Sequence, residues 1–189
     1  MRRLAVYCGS SLGAEPAYAA AAREMGVEMA RRGIGLVYGG GRLGLMGVVA
    51  DAVLDSGGEA YGVIPQALID LEVAHSGLTE LHVVTTMHER KALMTNLTDA
   101  FVALPGGIGT LDELFEAWSW NALGYHAKPF ALLNVGGFWD DLVRLMDHVE
   151  AGGFMSAARR AQLLVAGEIG EAIDMLDSAI AAAERRMVW

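Results

Sequence analysis

Two stretches of this chain concentrate residues that do chemistry. The first is Pro105-Gly106-Gly107-Ile108-Gly109-Thr110, followed at once by Leu111, Asp112 and Glu113. Glycines let a backbone approach a ligand closely, and free N–H groups at a helix start, backed by the helix dipole, favour an anion. There is no Gly-Lys-Ser/Thr element, so a triphosphate loop is not expected and a monophosphate suits the loop better. Thr110 offers its hydroxyl to a ligand or to the helix as a cap. The plainer alternative is an ordinary strand-to-helix turn closed by a Thr110-x-x-Glu113 capping box. A carboxylate next to an anion-binding loop is a candidate acid or base, which singles out Glu113.

The second stretch is Met87-His88-Glu89-Arg90-Lys91. In helical projection Arg90 falls at the centre of the apolar stripe formed by Met87, Leu93 and Met94, while Lys91 points elsewhere. A charge in the middle of an apolar face must be paired or aimed along the face into a pocket. Arg90 is therefore either a functional cation or half of a structural pair with Glu113 or Glu72. A second glycine run, Gly39-Gly40-Gly41-Arg42-Leu43-Gly44, matches the dinucleotide fingerprint literally. It follows the second apolar run rather than the first. Its downstream acid, Glu59, precedes a strand instead of ending one, so tight strand–helix packing explains it better than NAD. The five histidines show no metal spacing, and Cys8 reads as a small buried hydrophobe.

These residues need elements to position them. Short, continuous apolar runs lie over 4–8, 34–38, 60–64, 81–85, 101–104, 130–134 and, more weakly, 163–165. Continuous runs are expected of strands buried on both faces. Amphipathic segments over 16–32, 45–56, 87–98, 111–123, 139–151 and 169–187 predict helices between them. This alternation predicts a single α/β domain over 1–189, a mainly parallel sheet of about seven strands with helices on both faces. Ligands on such sheets bind beyond the carboxyl ends of the strands, where both of these runs and a third glycine loop, Cys8-Gly9-Ser10-Ser11, fall. On the helix over 111–123, Leu111, Leu114, Phe115, Trp118 and Ala122 form the apolar face. Trp120 falls among Glu113, Glu116 and Ser119, where it is expected to stack over the acidic stripe and face a ligand or another subunit.

Composition narrows the field. The 189 residues are 53% hydrophobic and 20% charged, which excludes a disordered chain. The net charge of -9 argues against nucleic acid or an anionic membrane as partner. No apolar stretch is long enough to span a bilayer, and the first apolar run is too short for a secretory leader. A single cysteine suggests a reducing, cytoplasmic compartment.

The ordered set of motifs resembles the LOG family, the cytokinin riboside 5′-monophosphate phosphoribohydrolases, over nearly the whole chain. It comprises Val6-Tyr7-Cys8-Gly9-Ser10-Ser11, Val37-Tyr38-Gly39-Gly40-Gly41, Gly44-Leu45-Met46-Gly47 and Gly62-Val63-Ile64-Pro65 with Glu72. Next come Met87-His88-Glu89-Arg90-Lys91 and, most specific, Pro105-Gly106-Gly107-Ile108-Gly109-Thr110-Leu111-Asp112-Glu113. The resemblance implies a Rossmann-like fold, a homodimer and no cofactor. It implies hydrolysis of the N-glycosidic bond of an adenine nucleoside monophosphate, N6-modified or AMP itself, to free base and ribose 5-phosphate. It maps the catalytic pair to Arg90 and Glu113. Substrate contacts map to Glu72, Arg90, Lys91, Gly107, Ile108, Gly109, Thr110, Leu111, Asp112, Glu113 and Ser119. Ser119 stands where the family pattern has Thr, so a hydroxyl is kept and a methyl lost.

Two other functions use some of the same residues. A non-catalytic nucleotide-binding or carrier module would share the glycine loops but has little reason to aim Glu113 at a bound anion. A pyridoxal-phosphate decarboxylase needs a Schiff-base lysine, and the chain has only Lys91 and Lys128.

Overall fold

The computed structural model describes residues 1–69 and 74–187. Seven apolar runs form parallel strands: β1 (Arg3–Tyr7), β2 (Gly35–Tyr38), β3 (Ala60–Pro65), β4 (Glu80–Val84), β5 (Ala100–Ala103), β6 (Phe130–Leu133) and β7 (Leu163–Ala166). The helices are α1 (Pro16–Arg31), α2 (Gly44–Asp55), α3 (Met87–Leu97), α4 (Ile108–Ala122), α5 (Asp140–Ala151), the short α6 (Ala157–Arg160) and α7 (Ile169–Met187).

Alternate strand residues feed two cores. Leu4, Val6, Leu36, Tyr38, Val102 and Leu104 pack under α1, α2 and α7, through Met25, Val49 and Ile173 among others. Ala5, Tyr7, Val37, Phe101, Ala103 and Leu132 pack under α3, α4 and α5, through Met94, Leu114, Trp118 and Met146. This two-sided burial is why the strand runs are continuous rather than alternating. The run over 81–85 departs from that expectation. It forms an edge strand, β4, with Val83 49% exposed.

Strand order is β4-β3-β2-β1-β5-β6-β7. The chain winds outward from β1 to one edge, then returns to β1 and winds to the other. The reversal lies between β1 and β5, and a crevice opens at such a switch point beyond the strand ends. The loops after β1 and β5 are Cys8-Gly9-Ser10 and Pro105-Gly106-Gly107, so the fold brings two of the three glycine runs to one place.

Candidate active site

The crevice is a cleft of about 380 Å³. Cys8, Gly9 and Ser10 line it from the β1 side; Gly107, Ile108, Gly109, Thr110, Asp112 and Glu113 line it from α4. Met87 and Arg90 reach it from α3, and Met46 and Leu68 add apolar wall. A larger depression, about 760 Å³, lies at the opposite end of the strands around Arg2, Asp99 and Lys128, and it holds none of the candidate residues.

The anion-binding feature is the start of α4. The helix begins at Ile108, three residues before the apolar pattern suggests, with Gly107 as its N-cap and no side-chain cap. The capping box expected of Thr110 and Glu113 is therefore absent. Thr110 sits inside the first turn, 3% exposed, and a Cβ on Gly106 would come within 2.1 Å of its Oγ1. Its hydroxyl is packed against the glycine turn instead of closing the helix. The N–H groups of Ile108, Gly109 and Thr110 have no carbonyl to bond within the helix, because the first intrahelical bond is Leu111 N–H to Gly107 O at 3.1 Å. They stand at the cleft, where the helix dipole adds partial positive charge. The start of α2 is different. Its Leu45 and Met46 N–H groups donate to the Gly9 carbonyl at 3.0 and 3.4 Å, so the fingerprint-like Gly39–Gly44 run spends its helix start on packing.

Arg90 is brought in by a true capping box that the sequence reading passed over. Thr86 Oγ1 accepts the Glu89 N–H at 3.1 Å, and Glu89 Oε2 accepts the N–H groups of Thr85 and Thr86 at 2.7 and 3.3 Å. This fixes the phase of α3 and turns Arg90 inward, where it is only 4% exposed. Its Nη2 donates to the Gly39 carbonyl at 3.2 Å. A Cβ on Gly39 would lie 2.1 Å from that nitrogen, so glycine at 39 leaves the room this position of Arg90 uses. Lys91 takes another direction. Its Nζ bridges Asp112 at 2.7 Å and Glu116 at 3.0 Å, tying α3 to α4 on either side of Glu113.

Glu113 is half-buried at the cleft and its charge is felt by the strand end beneath it. Burial pushes the Tyr7 hydroxyl well up, and Glu113 and Glu116 push it further, against a smaller pull from Arg90. Burial, then Glu113, likewise raises Cys8 far above the ordinary thiol range. A thiol held protonated in this way is no nucleophile. Among the described residues no group of His, Cys, Asp and Glu is arranged to hold a metal ion.

The structure thus gathers Arg90, Gly107, Ile108, Gly109, Thr110, Asp112 and Glu113 around one cleft, with Lys91 beside it. Leu111 packs against the core under α4. Ser119 opens on a separate depression with Phe115, Trp118, Phe154 and Arg159. Glu72 lies outside the described residues. Trp120 packs edge-on against His88 of α3, with centroids 5.8 Å apart, rather than over the acidic stripe. His88, Tyr125 and His126 share its depression of about 420 Å³. The sequence reading also missed Gly39 as the seat of Arg90. The Thr86-x-x-Glu89 spacing was the available sign of the cap.

Residues 46–176 match a family model described as possible lysine decarboxylase. Across all of this chain and 78% of its own length, the cytokinin riboside 5′-monophosphate phosphoribohydrolase LOG of Oryza sativa subsp. japonica is 45% identical over 188 residues. The cytokinin riboside 5′-monophosphate phosphoribohydrolase of Rhodococcoides fascians is 47% identical over 94% of this chain and 90% of its own. The chain belongs to the LOG family. Among solved structures, the molybdenum cofactor carrier protein of Chlamydomonas reinhardtii superposes with a TM-score of 0.73 at 20% identity, covering 95% of this chain and 98% of its own. At that identity the likeness concerns the fold alone.

The decarboxylase description does not fit the lysines of this LOG-family chain. Lys91 is held between two carboxylates, which raise its pKa in spite of burial, whereas a Schiff-base amine must be neutral. Lys128 lies toward the opposite end of the strands, its Nζ donating to the Thr95 and Thr98 carbonyls at 2.5 and 2.6 Å. Neither lysine is therefore placed, among the described residues, as the Schiff-base amine that pyridoxal phosphate needs.

Proposed function

We propose that this chain hydrolyses the N-glycosidic bond of adenine nucleoside 5′-monophosphates, releasing the free base and ribose 5-phosphate. The observation that carries the reading is the placing of Glu113 and Arg90 in the cleft that opens at the uncapped start of α4. Its relatives are named as phosphoribohydrolases of cytokinin riboside 5′-monophosphates, which supports the reading.

The amides of Ile108, Gly109 and Thr110, with the Thr110 hydroxyl, take the 5′-phosphate. Holding the phosphate fixes the ribose and supplies orientation at C1′. As the C1′–N9 bond lengthens, positive charge develops on the ribose, as in other glycoside cleavage. The Glu113 carboxylate stabilises that charge or takes the proton of the attacking water. The water oxygen bonds to C1′ and gives up one proton, and the base leaves with the N9 electron pair and takes up that proton. Arg90, seated on Gly39, supplies a fixed positive charge at the cleft that positions the nucleotide. The substrate class includes N6-modified adenine nucleotides and AMP.

We propose further that the protein is a cytoplasmic homodimer. The half-buried Trp120 and the strongly exposed Ile108, Leu123 and Tyr125 support a second protomer on this side of the molecule. Ser119 faces away from the cleft, so a part for its hydroxyl in substrate binding calls for that second protomer.

The test is a product assay on AMP, its N6-isopentenyl form and the matching nucleosides. Ribose 5-phosphate is expected from the monophosphates only. Tight AMP binding without product over a long incubation would instead favour a nucleotide-binding or carrier module.

A further inference from the structure

His75 lies outside the cleft, yet its contacts converge on the loop that seats Arg90. Its backbone N–H donates to the Gly40 carbonyl at 2.9 Å, and its neighbour Ala74 pairs antiparallel with Gly41. Its ring is only 12% exposed and is used on both sides. Nε2 lies 2.9 Å from Asp51 Oδ1 on α2, and Nδ1 accepts the Gly77 N–H at 3.0 Å. A bare Nδ1 facing an N–H places the ring proton on Nε2, where Asp51 accepts it. Residue 75 therefore ties the turn between β2 and α2 to the body of α2, by its backbone at Gly40 and by its ring at Asp51, in the second half of that helix.

That turn is three consecutive glycines, Gly40 with φ +79°, and such a backbone holds one conformation only when something outside it does the holding. The first of the three, Gly39, offers the carbonyl that takes Arg90 Nη2. We infer that His75 is a positioning residue for the hydrolysis, clasping the Gly39-Gly40-Gly41 turn to α2 and so fixing the seat of Arg90. A surface ion pair alone explains the arrangement poorly. Asp51 is 61% exposed, and an exposed pair contributes little by itself. The two-sided engagement of the ring fixes geometry rather than supplying charge. The inference rests on the proposed function, because it assigns His75 a part in that reaction.

The experiment compares His75→Ala, His75→Gln and His75→Asn in the product assay and by amide hydrogen exchange. His75→Ala is expected to lower kcat by about tenfold or more while KM stays within about threefold, since the phosphate amides on α4 are untouched. Gln can still donate to Asp51 and Asn can still accept from Gly77, so at least one of the two is expected to recover part of the loss. In an Arg90→Lys background, adding His75→Ala is expected to cost less than about twofold, because both changes act on one seat. Unchanged kcat in His75→Ala, an undiminished loss in the Arg90→Lys background, or no recovery in either conservative variant overturns the inference. If His75→Ala does not fold, Asp51→Ala removes the same ring contact from the exposed side and carries the same expectations.

Hydrogen exchange separates this inference from the reading beneath it. If the wild type releases no ribose 5-phosphate from any nucleotide, the proposed function falls. The clasp is still read by exchange at the amide of residue 75, which donates to the Gly40 carbonyl and is expected to quicken about tenfold or more in His75→Ala. Unchanged exchange there overturns the clasp whatever the activity.

Discussion

Nη2 of Arg90 donates to the carbonyl oxygen of Gly39 at 3.2 Å, across 51 residues of sequence. The bond divides the labour of the glycine runs. The run after β2 seats a cation, and its helix start is spent on Gly9. The run after β5 leaves its helix amides open and suits an anion. Glu113 lines the cleft between them, next to Cys8 and Thr110. A nucleotide monophosphate brings a phosphate to the amides, and its C1′ becomes positive during cleavage, so the sign of each protein group matches the part of the substrate it would meet.

Gly39→Ala tests the seat directly. The new Cβ would lie 2.1 Å from Arg90 Nη2, so the side chain or the loop must move. The atoms met are the ends of the Arg90 and Met46 side chains, which can give way, so Tm is expected to change little. Turnover is expected to fall by about 100-fold or more, as for other displaced site groups. Gly167→Ala, where a Cβ meets nothing within 4 Å, is the matched control and should keep both. Wild-type turnover in Gly39→Ala would show that the position of Arg90 does not matter.

Glu113→Gln keeps the shape of the side chain and removes its charge. If the carboxylate acts on the developing cation or on water, kcat for ribose 5-phosphate release falls by about 10²–10⁴. KM for AMP should stay within a few-fold, because the change leaves the proposed phosphate seat at the α4 amides untouched. Arg90→Lys is expected to lose activity too, since an ammonium cannot reproduce the planar donor set seated on Gly39. A rise in KM with kcat intact would move Glu113 from chemistry to binding.

Much of this was legible in the sequence, for stated reasons. Continuous apolar runs announced a sheet covered on both faces, and the glycine runs fell at strand ends because only there must backbone pass close to a ligand or another loop. Arg90 was conspicuous because a charge on an apolar stripe demands an explanation. The start of α4 was not legible. Gly107, Ile108 and Gly109 carry no strong helix-start signature, and Thr110 looked like a cap when it sits inside the first turn at the cleft, against Gly106. The seat on Gly39 and the clasp by His75 were invisible because each joins segments distant in sequence, and no local spacing encodes such a contact.

Lys128→Met separates stability from function at the other end of the sheet. Its Nζ donates to the Thr95 and Thr98 carbonyls, and the change leaves both without that donor. Unpaired buried acceptors cost about 1–3 kcal/mol each, so Tm should fall. Ribose 5-phosphate release at a temperature where the variant is folded should match the wild type. A pyridoxal-type absorbance band in the wild type that vanishes in Lys128→Met would reinstate the decarboxylase reading.

His126 makes folding depend on pH with a definite sign. Burial first, then the nearby Lys128 charge, lowers its pKa below the ordinary value of 6.5. Nδ1 accepts the Lys128 N–H at 3.2 Å, which requires that nitrogen bare. In the unfolded chain the ring takes a proton near the ordinary value, about 6.5. The folded state resists that proton, so the unfolded state binds more protons as pH falls. The contribution of His126 is complete above about pH 6.5 and is lost as pH drops from there toward its lower folded value. Urea denaturation at about pH 7.5 and 5.5 should show the wild type losing stability over that interval. His126→Asn keeps an acceptor for the Lys128 N–H but does not titrate, so its loss over the same interval should be smaller. Equal losses in the two proteins would mean that His126 is protonated as readily in the folded chain as in the unfolded one.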